Sequence, residues 1–177
     1  MSTYSSRRVA HLAFAAALVL LVGGCGLQMT SSDPSRPDAT PTTAAPLTAE
    51  ERAWLEAIPK VHKQIGQTLE ATPNLTPTAM RKLARTLGSC TRKLLGASPL
   101  SERVEPVYAL VKKACREYDK GAACFATAAS LGITLAGSAE NRKQSKAIEC
   151  GFAAQERASI PIDSAETMSL GIQTAAG

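Results

Sequence analysis

The apolar residues of the chain fall into three zones with different patterns. Residues 12–22 form an unbroken apolar run, residues 26–46 contain little that could be buried, and from Leu47 onward apolar residues recur at spacings of three and four. The last pattern is typical of α-helices that bury one face. No stretch alternates convincingly between apolar and polar residues, as a half-buried strand would. We therefore predict an all-α, helical-bundle domain over residues 47–177.

The first half of this domain has clear helix boundaries. Thr48 and Glu51 form a capping box for a first helix, in which Pro59 predicts a bend or a break. Thr76-Pro77 begins a second helix, which should end by Gly96. The predicted inward residues are Trp54, Ile58, Val61, Ile65 and Leu69 in the first helix, and Met80, Leu83, Leu87, Cys90 and Leu94 in the second.

The second half predicts two or three more helices, giving four to five in all. Ser101 should cap a long third helix and Ser138 a fourth, which Ile160-Pro161-Ile162-Asp163 should break. Residues 164–174 then form a last short helix. The predicted inward residues are Tyr108, Val111, Cys115, Tyr118, Ala122, Phe125 and Ala129 in the third helix, Ala147, Ile148, Gly151, Phe152 and Ala154 in the fourth, and Met168 and Ile172 in the last.

The N-terminal apolar run has the features of an export signal. At about 11 residues it is too short to cross a bilayer, which takes about 20, and Arg7 and Arg8 precede it. The segment that follows, Val22-Gly23-Gly24-Cys25, resembles the lipobox of bacterial lipoproteins. The resemblance implies that residues 1–24 are a signal peptide. It also implies that Cys25 receives a diacylglyceryl group, with or without a further N-acyl chain, and holds the mature protein at the extracytoplasmic face of the cell membrane.

Residues 25–46 read as the lipidated N-terminus and a tether. The segment is rich in Pro, Thr, Ala and Ser, a composition typical of disordered linkers. As a flexible coil it would span roughly 25 Å, and fully extended up to about 65 Å. The lipobox and this tether together resemble small lipoproteins of high-GC Gram-positive (actinobacterial) envelopes, a group without an assigned function.

The four remaining cysteines predict two disulfides. Cys90, Cys115, Cys124 and Cys150 are an even set in an exported chain, where the surroundings are oxidising. Cys115 and Cys124 are nine residues apart, so they cannot pair if the third helix is continuous. The register of the predicted helical hairpins favours Cys90–Cys115 with Cys124–Cys150. The first of these pairs requires the second helix to shift or the third helix to start late.

No residue combination indicates catalysis or metal binding. His62 is the single histidine after Cys25, it lies between lysines, and no serine or acid stands at a motif spacing from it, so we expect it exposed or at the edge of the core. Glu117 and Asp119 should lie on a solvated face, and no acid falls in an inward stripe. We therefore expect no enzyme, no metal and no cofactor. An enzyme of unknown type would require Glu117, Asp119 and His62 to converge.

These observations favour a non-catalytic binding or assembly module for another envelope component, most simply an envelope protein. The net charge of +5 is mild, and the basic stretch at residues 142–146 has no interleaved aromatic residue, so we expect no nucleic-acid partner. The alternative is a carrier that holds a lipid or small amphiphile in a helical groove. The small residues between Gly121 and Gly137 could line such a groove, although close helix packing is the simpler use for them.

Overall fold

The computed structural model describes residues 45–96 and 101–176. The proposed signal peptide, Cys25, most of the tether and the centre of the loop after Gly96 lie outside the described residues. The described part contains five α-helices and no strand: α1 (Ala49–Glu70), α2 (Pro77–Leu87), α3 (Ser89–Leu94), α4 (Glu105–Ser130) and α5 (Ala139–Ala175). The predicted all-α bundle is confirmed.

Helix α1 begins as the sequence predicts and continues through its proline. The Thr48 hydroxyl accepts from the Glu51 amide, and the Glu51 carboxylate accepts from the Thr48 amide, which completes the capping box. Pro59 does not divide the helix. Its ring nitrogen cannot donate to Leu55 O four residues earlier. The Ser169 hydroxyl of α5 donates to that carbonyl instead, at 3.3 Å.

The predicted second helix is two helices. Thr76 caps α2 as expected, but α2 ends at Leu87 with Gly88 as its C-cap, and α3 follows at once. Glycine is a weak helix former, and Gly88 lies beside Ala122 of α4. All five predicted inward residues, Met80, Leu83, Leu87, Cys90 and Leu94, are nonetheless buried.

Helix α4 starts later than predicted. The prediction that Ser101 caps it is wrong, since α4 follows Val104 without a side-chain cap. The Ser101 hydroxyl donates instead to the carboxylate of Glu51, which is buried. The expectation that no acid faces inward is therefore also wrong. Glu51 avoids the cost of burial because Ser101, the Thr48 amide and Arg103 all interact with its carboxylate.

Helix α5 is a single helix of 37 residues, so the predicted break at Ile160–Asp163 is wrong. Ser138 caps it as expected. Pro161 is buried within the helix, where Ala158, Ile162 and Ala165 pack into the core on both sides of it. Because the helix is not interrupted, its turns place Ser169 inward and leave Met168 exposed. The prediction that Met168 faces inward is wrong. Phe152 is likewise more exposed than expected, although its ring contacts Phe125 edge-on.

Helices α4 and α5 form an antiparallel hairpin that the other helices cover at one end. Helices α2 and α3 lie along α4, and α1 lies against the C-terminal half of α5, where Leu55 meets Ser169. The core contains large aliphatic side chains from every helix, with Tyr118 and Phe125 at its centre.

Two disulfides join the helices. Cys90 pairs with Cys115 and Cys124 with Cys150, with Cα–Cα distances of 5.3 and 5.9 Å. These are the pairs that the sequence analysis favoured. The Cys90–Cys115 bridge was expected to require either a shift of the second helix or a late start of the third. The structure has the late start, in α4.

Candidate functional site

His62 lies in a cluster of three ionisable side chains at the junction of α1 and α5. Its Nδ1 is 2.8 Å from Glu166 Oε1 and 3.7 Å from Asp163 Oδ1. His62 and Glu166 are each 28% exposed, so the cluster is at the edge of the core and accessible to solvent. Because α5 continues through Pro161, Asp163 and Glu166 are one helical turn apart and share one face.

Sequence reasoning placed His62 on the surface or at the edge of the core, but missed the two acids that lie beside it. Glu166 is 104 residues from His62 in the chain, so no local spacing could connect them. The predicted break at residues 160–163 also separated Asp163 from Glu166. An enzyme would have been favoured if Glu117 and Asp119 had met His62. These two acids contact other residues instead.

Those contacts assign Glu117 and Asp119 to structural ion pairs and hydrogen bonds. Glu117 is largely buried, not solvated as predicted, and pairs with Lys120 and with Arg157 Nε, the latter at 2.9 Å. The Lys120 and Arg157 bonds hold the pKa of the Glu117 carboxyl below its usual value. Asp119 is exposed and accepts from the Thr91 hydroxyl at 2.7 Å.

The His62 cluster borders an open groove and lies near a buried tyrosine. The groove, of about 540 Å³, runs beside α1 and is lined by Pro59, His62, Lys63, Gly66, Gln67, Glu70 and Glu166. Tyr118 of α4 is only 1% exposed. Burial, followed by the charges of Asp163 and Glu166, raises the pKa of Tyr118 to about 12.

A second feature is the loop between α4 and α5, which presents two large apolar side chains to solvent. Ile133 is 94% exposed and Leu135 is 83% exposed. Gly132 and Gly137 bracket the loop with φ angles of 70° and 78°, a conformation that favours glycine. We call residues 132–137 the apolar loop.

Side-chain hydrogen bonds hold the apolar loop in place. The Gln144 amide donates to Ala128 O and to Gly132 O, at 3.0 and 2.7 Å. The Thr134 hydroxyl donates to Gln144 Oε1 at 2.8 Å and accepts from Asn141 Nδ2 at 3.1 Å. Ile133 and Leu135 are thus exposed on a loop that is tied to both helices.

The small residues of α4 serve close helix packing. A Cβ added at Gly151 would lie 2.7 Å from the Phe125 ring, and one added at Gly121 would lie 3.2 Å from Gly151 O. Such distances leave no room for a ligand between the two helices at this level. Gly121 therefore serves close packing of α4 against α5, whereas Gly132 and Gly137 have open space around them.

Comparisons with protein-family models, with curated proteins and with solved structures return no match for this chain. No helix within the described ranges is long and apolar enough to cross a membrane.

Proposed function

We propose that this chain is an extracytoplasmic lipoprotein that is attached to the cell membrane through a lipidated Cys25 and binds another envelope protein through the apolar loop. The lipobox-like Val22-Gly23-Gly24-Cys25 and the Pro/Thr/Ala/Ser-rich tether support the attachment. The observation that carries the binding role is the exposure of Ile133 and Leu135 on a held loop.

Single exposed apolar residues are common on protein surfaces, so the pair matters because of its setting. Ile133 and Leu135 lie two residues apart in a loop with several side-chain hydrogen bonds to the flanking helices. Burying each side chain would contribute roughly 1.5–3 kcal/mol. Because the loop is already ordered, binding would lose little of that gain to loop entropy. We therefore expect the partner to have an apolar pocket that receives these two side chains.

The position of the apolar loop favours a protein over the anchoring membrane. The chain enters the bundle beside Arg103, which donates to the carbonyls of Ala45 and Pro46 just before α4 begins. The apolar loop follows the other end of α4, and a helix of 26 residues is about 39 Å long. The apolar loop and the residues at which the tether joins the bundle therefore lie near opposite ends of α4.

Charged residues beside the apolar loop would orient the partner rather than strengthen its binding. Arg142, Lys143 and Lys146 are exposed in the first turns of α5, while Glu140 and Glu149 are the exposed acids of the same stretch. The small basic excess suits an acidic rim around the partner's pocket. Rim charges of this kind affect association rate and register more than the free energy of binding.

The binding role is tested by photo-crosslinking in intact cells. A photoreactive residue placed at position 135 should capture one dominant protein, whereas one at exposed Lys82 of α2 should not. The captured protein, once purified, should bind the full chain, and the pair Ile133→Asp with Leu135→Asp should abolish that binding. Leu170→Asp is the matched control, since Leu170 is an exposed apolar residue elsewhere.

Three outcomes would overturn the binding role. Crosslinks from position 135 to phospholipid would identify a membrane contact. A lipid or small amphiphile that co-purifies with the domain, with no protein captured, would favour the carrier alternative. Retained binding by the Ile133→Asp, Leu135→Asp variant would remove the apolar loop from the interface.

The attachment is tested separately by mass. The detergent-extracted protein should begin at Cys25 and carry the added mass of a diacylglyceryl group, and Cys25→Ala should remain unmodified and leave the membrane fraction. An unmodified N-terminus in the wild type would refute the anchor without bearing on the apolar loop.

A further inference from the structure

We propose that His62, Asp163 and Glu166 form a binding site for a zinc-type divalent cation. The three groups offer one imidazole nitrogen and two carboxylate oxygens, and one ligand atom of each lies within 4.8 Å of the others. Zinc binds both histidine nitrogen and carboxylate oxygen, and in zinc sites with three protein ligands water takes the fourth position. The open groove beside α1 gives water access to that position.

The distances match the geometry of a tetrahedral ion. Zinc lies about 2.0–2.1 Å from its nitrogen and oxygen ligands, so two ligand atoms of a tetrahedron are about 3.3 Å apart. The separations from His62 Nδ1 to Glu166 Oε1 and to Asp163 Oδ1, 2.8 and 3.7 Å, lie on either side of that value. Shifts of about half an ångström would bring both separations from His62 to the tetrahedral value. The two carboxylate oxygens, which lie within 4.8 Å of each other, would move toward each other as the ion binds.

The backbone positions of the three ligands are fixed by packing. Val61 and Ile65 of α1, on either side of His62 in sequence, are buried, and so are Ile162 and Ala165 of α5. Neither helix can rotate to withdraw its ligands without exposing these residues. The site thus rests on two packed helices, where ligand geometry is more precise than on loops.

Charge and ligand type favour zinc over calcium or magnesium. Two carboxylates and a neutral imidazole balance the +2 charge of the ion, which removes the repulsion between Asp163 and Glu166. Imidazole nitrogen suits zinc and its first-row neighbours, whereas calcium and magnesium prefer oxygen ligands throughout. The bound ion would link α1 to α5.

The test uses the full chain, purified in detergent without a histidine tag, freed of metal by a chelator and titrated with zinc chloride in a calorimeter. We expect one zinc ion to bind per chain and to raise the midpoint temperature of thermal unfolding. Both effects should persist in excess calcium or magnesium. His62→Gln and Glu166→Gln should each lower the zinc affinity by at least about tenfold.

Two controls keep the result interpretable. Glu149→Gln removes an exposed carboxylate elsewhere on α5 and should bind zinc like the wild type. Glu166→Gln keeps a hydrogen-bonding oxygen beside His62, so we expect this variant to fold. An unchanged circular dichroism spectrum would show that any loss of zinc binding does not come from misfolding. No binding by the wild type, or equal affinity in Glu166→Gln, would overturn the proposal. Neither result would bear on the anchor or on the apolar loop.

Discussion

The two ends of the α4–α5 hairpin are held by different forces. We call residues 131–150 the hairpin tip and the remaining described residues the body. The body buries large side chains from all five helices, including Leu55, Tyr118 and Phe125. In the hairpin tip no residue is fully buried. Ala147 and Ile148 pack against the edge of the core, and polar contacts such as those of Gln144 hold the loop in place.

The disulfides follow the same division. Cys90 and Cys115 are fully buried in the body, whereas Cys150, at the base of the hairpin tip, is exposed. The body is thus held by the burial of large apolar side chains, whereas the tip is held by hydrogen bonds, one disulfide and a small apolar contact. Ile133 and Leu135 take no part in that contact and stay exposed.

The largest expected effect is in the body. Phe125→Ala would remove a buried ring at the crossing of α4 and α5 and lower the free energy of unfolding by about 3–5 kcal/mol. Ile133→Ala in the hairpin tip should change it by no more than about 0.5 kcal/mol. Denaturant unfolding followed by circular dichroism measures both. Similar losses from the two variants would contradict the division between body and tip.

The next effect concerns the carbonyl that Pro59 leaves without a helical donor. Ser169→Ala would leave Leu55 O buried and unpaired, at a cost of about 1–3 kcal/mol. In a Pro59→Ala background the restored amide can donate to that carbonyl, so the same change should cost clearly less. A double-mutant cycle of unfolding free energies measures the coupling. Additive effects would show that the Ser169 bond does not compensate for the proline.

A smaller, local effect is expected in the hairpin tip. Gln144→Ala removes the side chain that bonds to Ala128 O, to Gly132 O and to Thr134, which should lower the local opening free energy by about 1 kcal/mol. Hydrogen exchange should quicken in residues 131–150 and stay unchanged in α1. Lys143→Ala, at an exposed neighbouring position, is the control. Faster exchange throughout the chain would mean that the tip and the body open together.

The smallest effect is a change in the pH dependence of stability. The hydroxyl of Ser101, followed by the Thr48 amide and other contacts, holds the pKa of Glu51 below its usual value in the folded protein. The stability that this carboxylate contributes is present above the unfolded pKa and is lost as the pH falls through the lower folded value.

The acid side of the stability curve should therefore be flatter in Glu51→Gln than in the wild type, and Ser101→Ala should show part of the same change. Thermal unfolding midpoints measured from neutral to acidic pH provide the curves. Parallel curves for all three proteins would contradict this role of Glu51.

Local sequence patterns predicted much of the fold. The buried stripe from Met80 to Leu94 and the caps at Thr48, Thr76 and Ser138 depend on residues three or four apart, so they are readable from the chain alone. The favoured cysteine pairs follow from the same periodicity. The sequence also suggested the lipid anchor at Cys25, which lies outside the described residues and remains a prediction.

The sequence could not determine contacts between distant segments. The candidate cation site joins His62 to Asp163 and Glu166, and the predicted break at Pro161 placed these acids on separate elements. Ile133 and Leu135 likewise gave no pattern, because their exposure depends on how the hairpin tip packs.

The sequence by itself determined the helical class, most caps, the inward stripes of α1 to α4 and the favoured disulfides, because each depends on spacing along one or two helices. The tertiary structure alone decided whether a proline interrupts a helix. At Pro59 the lost hydrogen bond to Leu55 O is replaced by Ser169 of α5, and at Pro161 the flanking residues are held in the core. Such compensation comes from residues far apart in the chain, and only the folded protein brings them together.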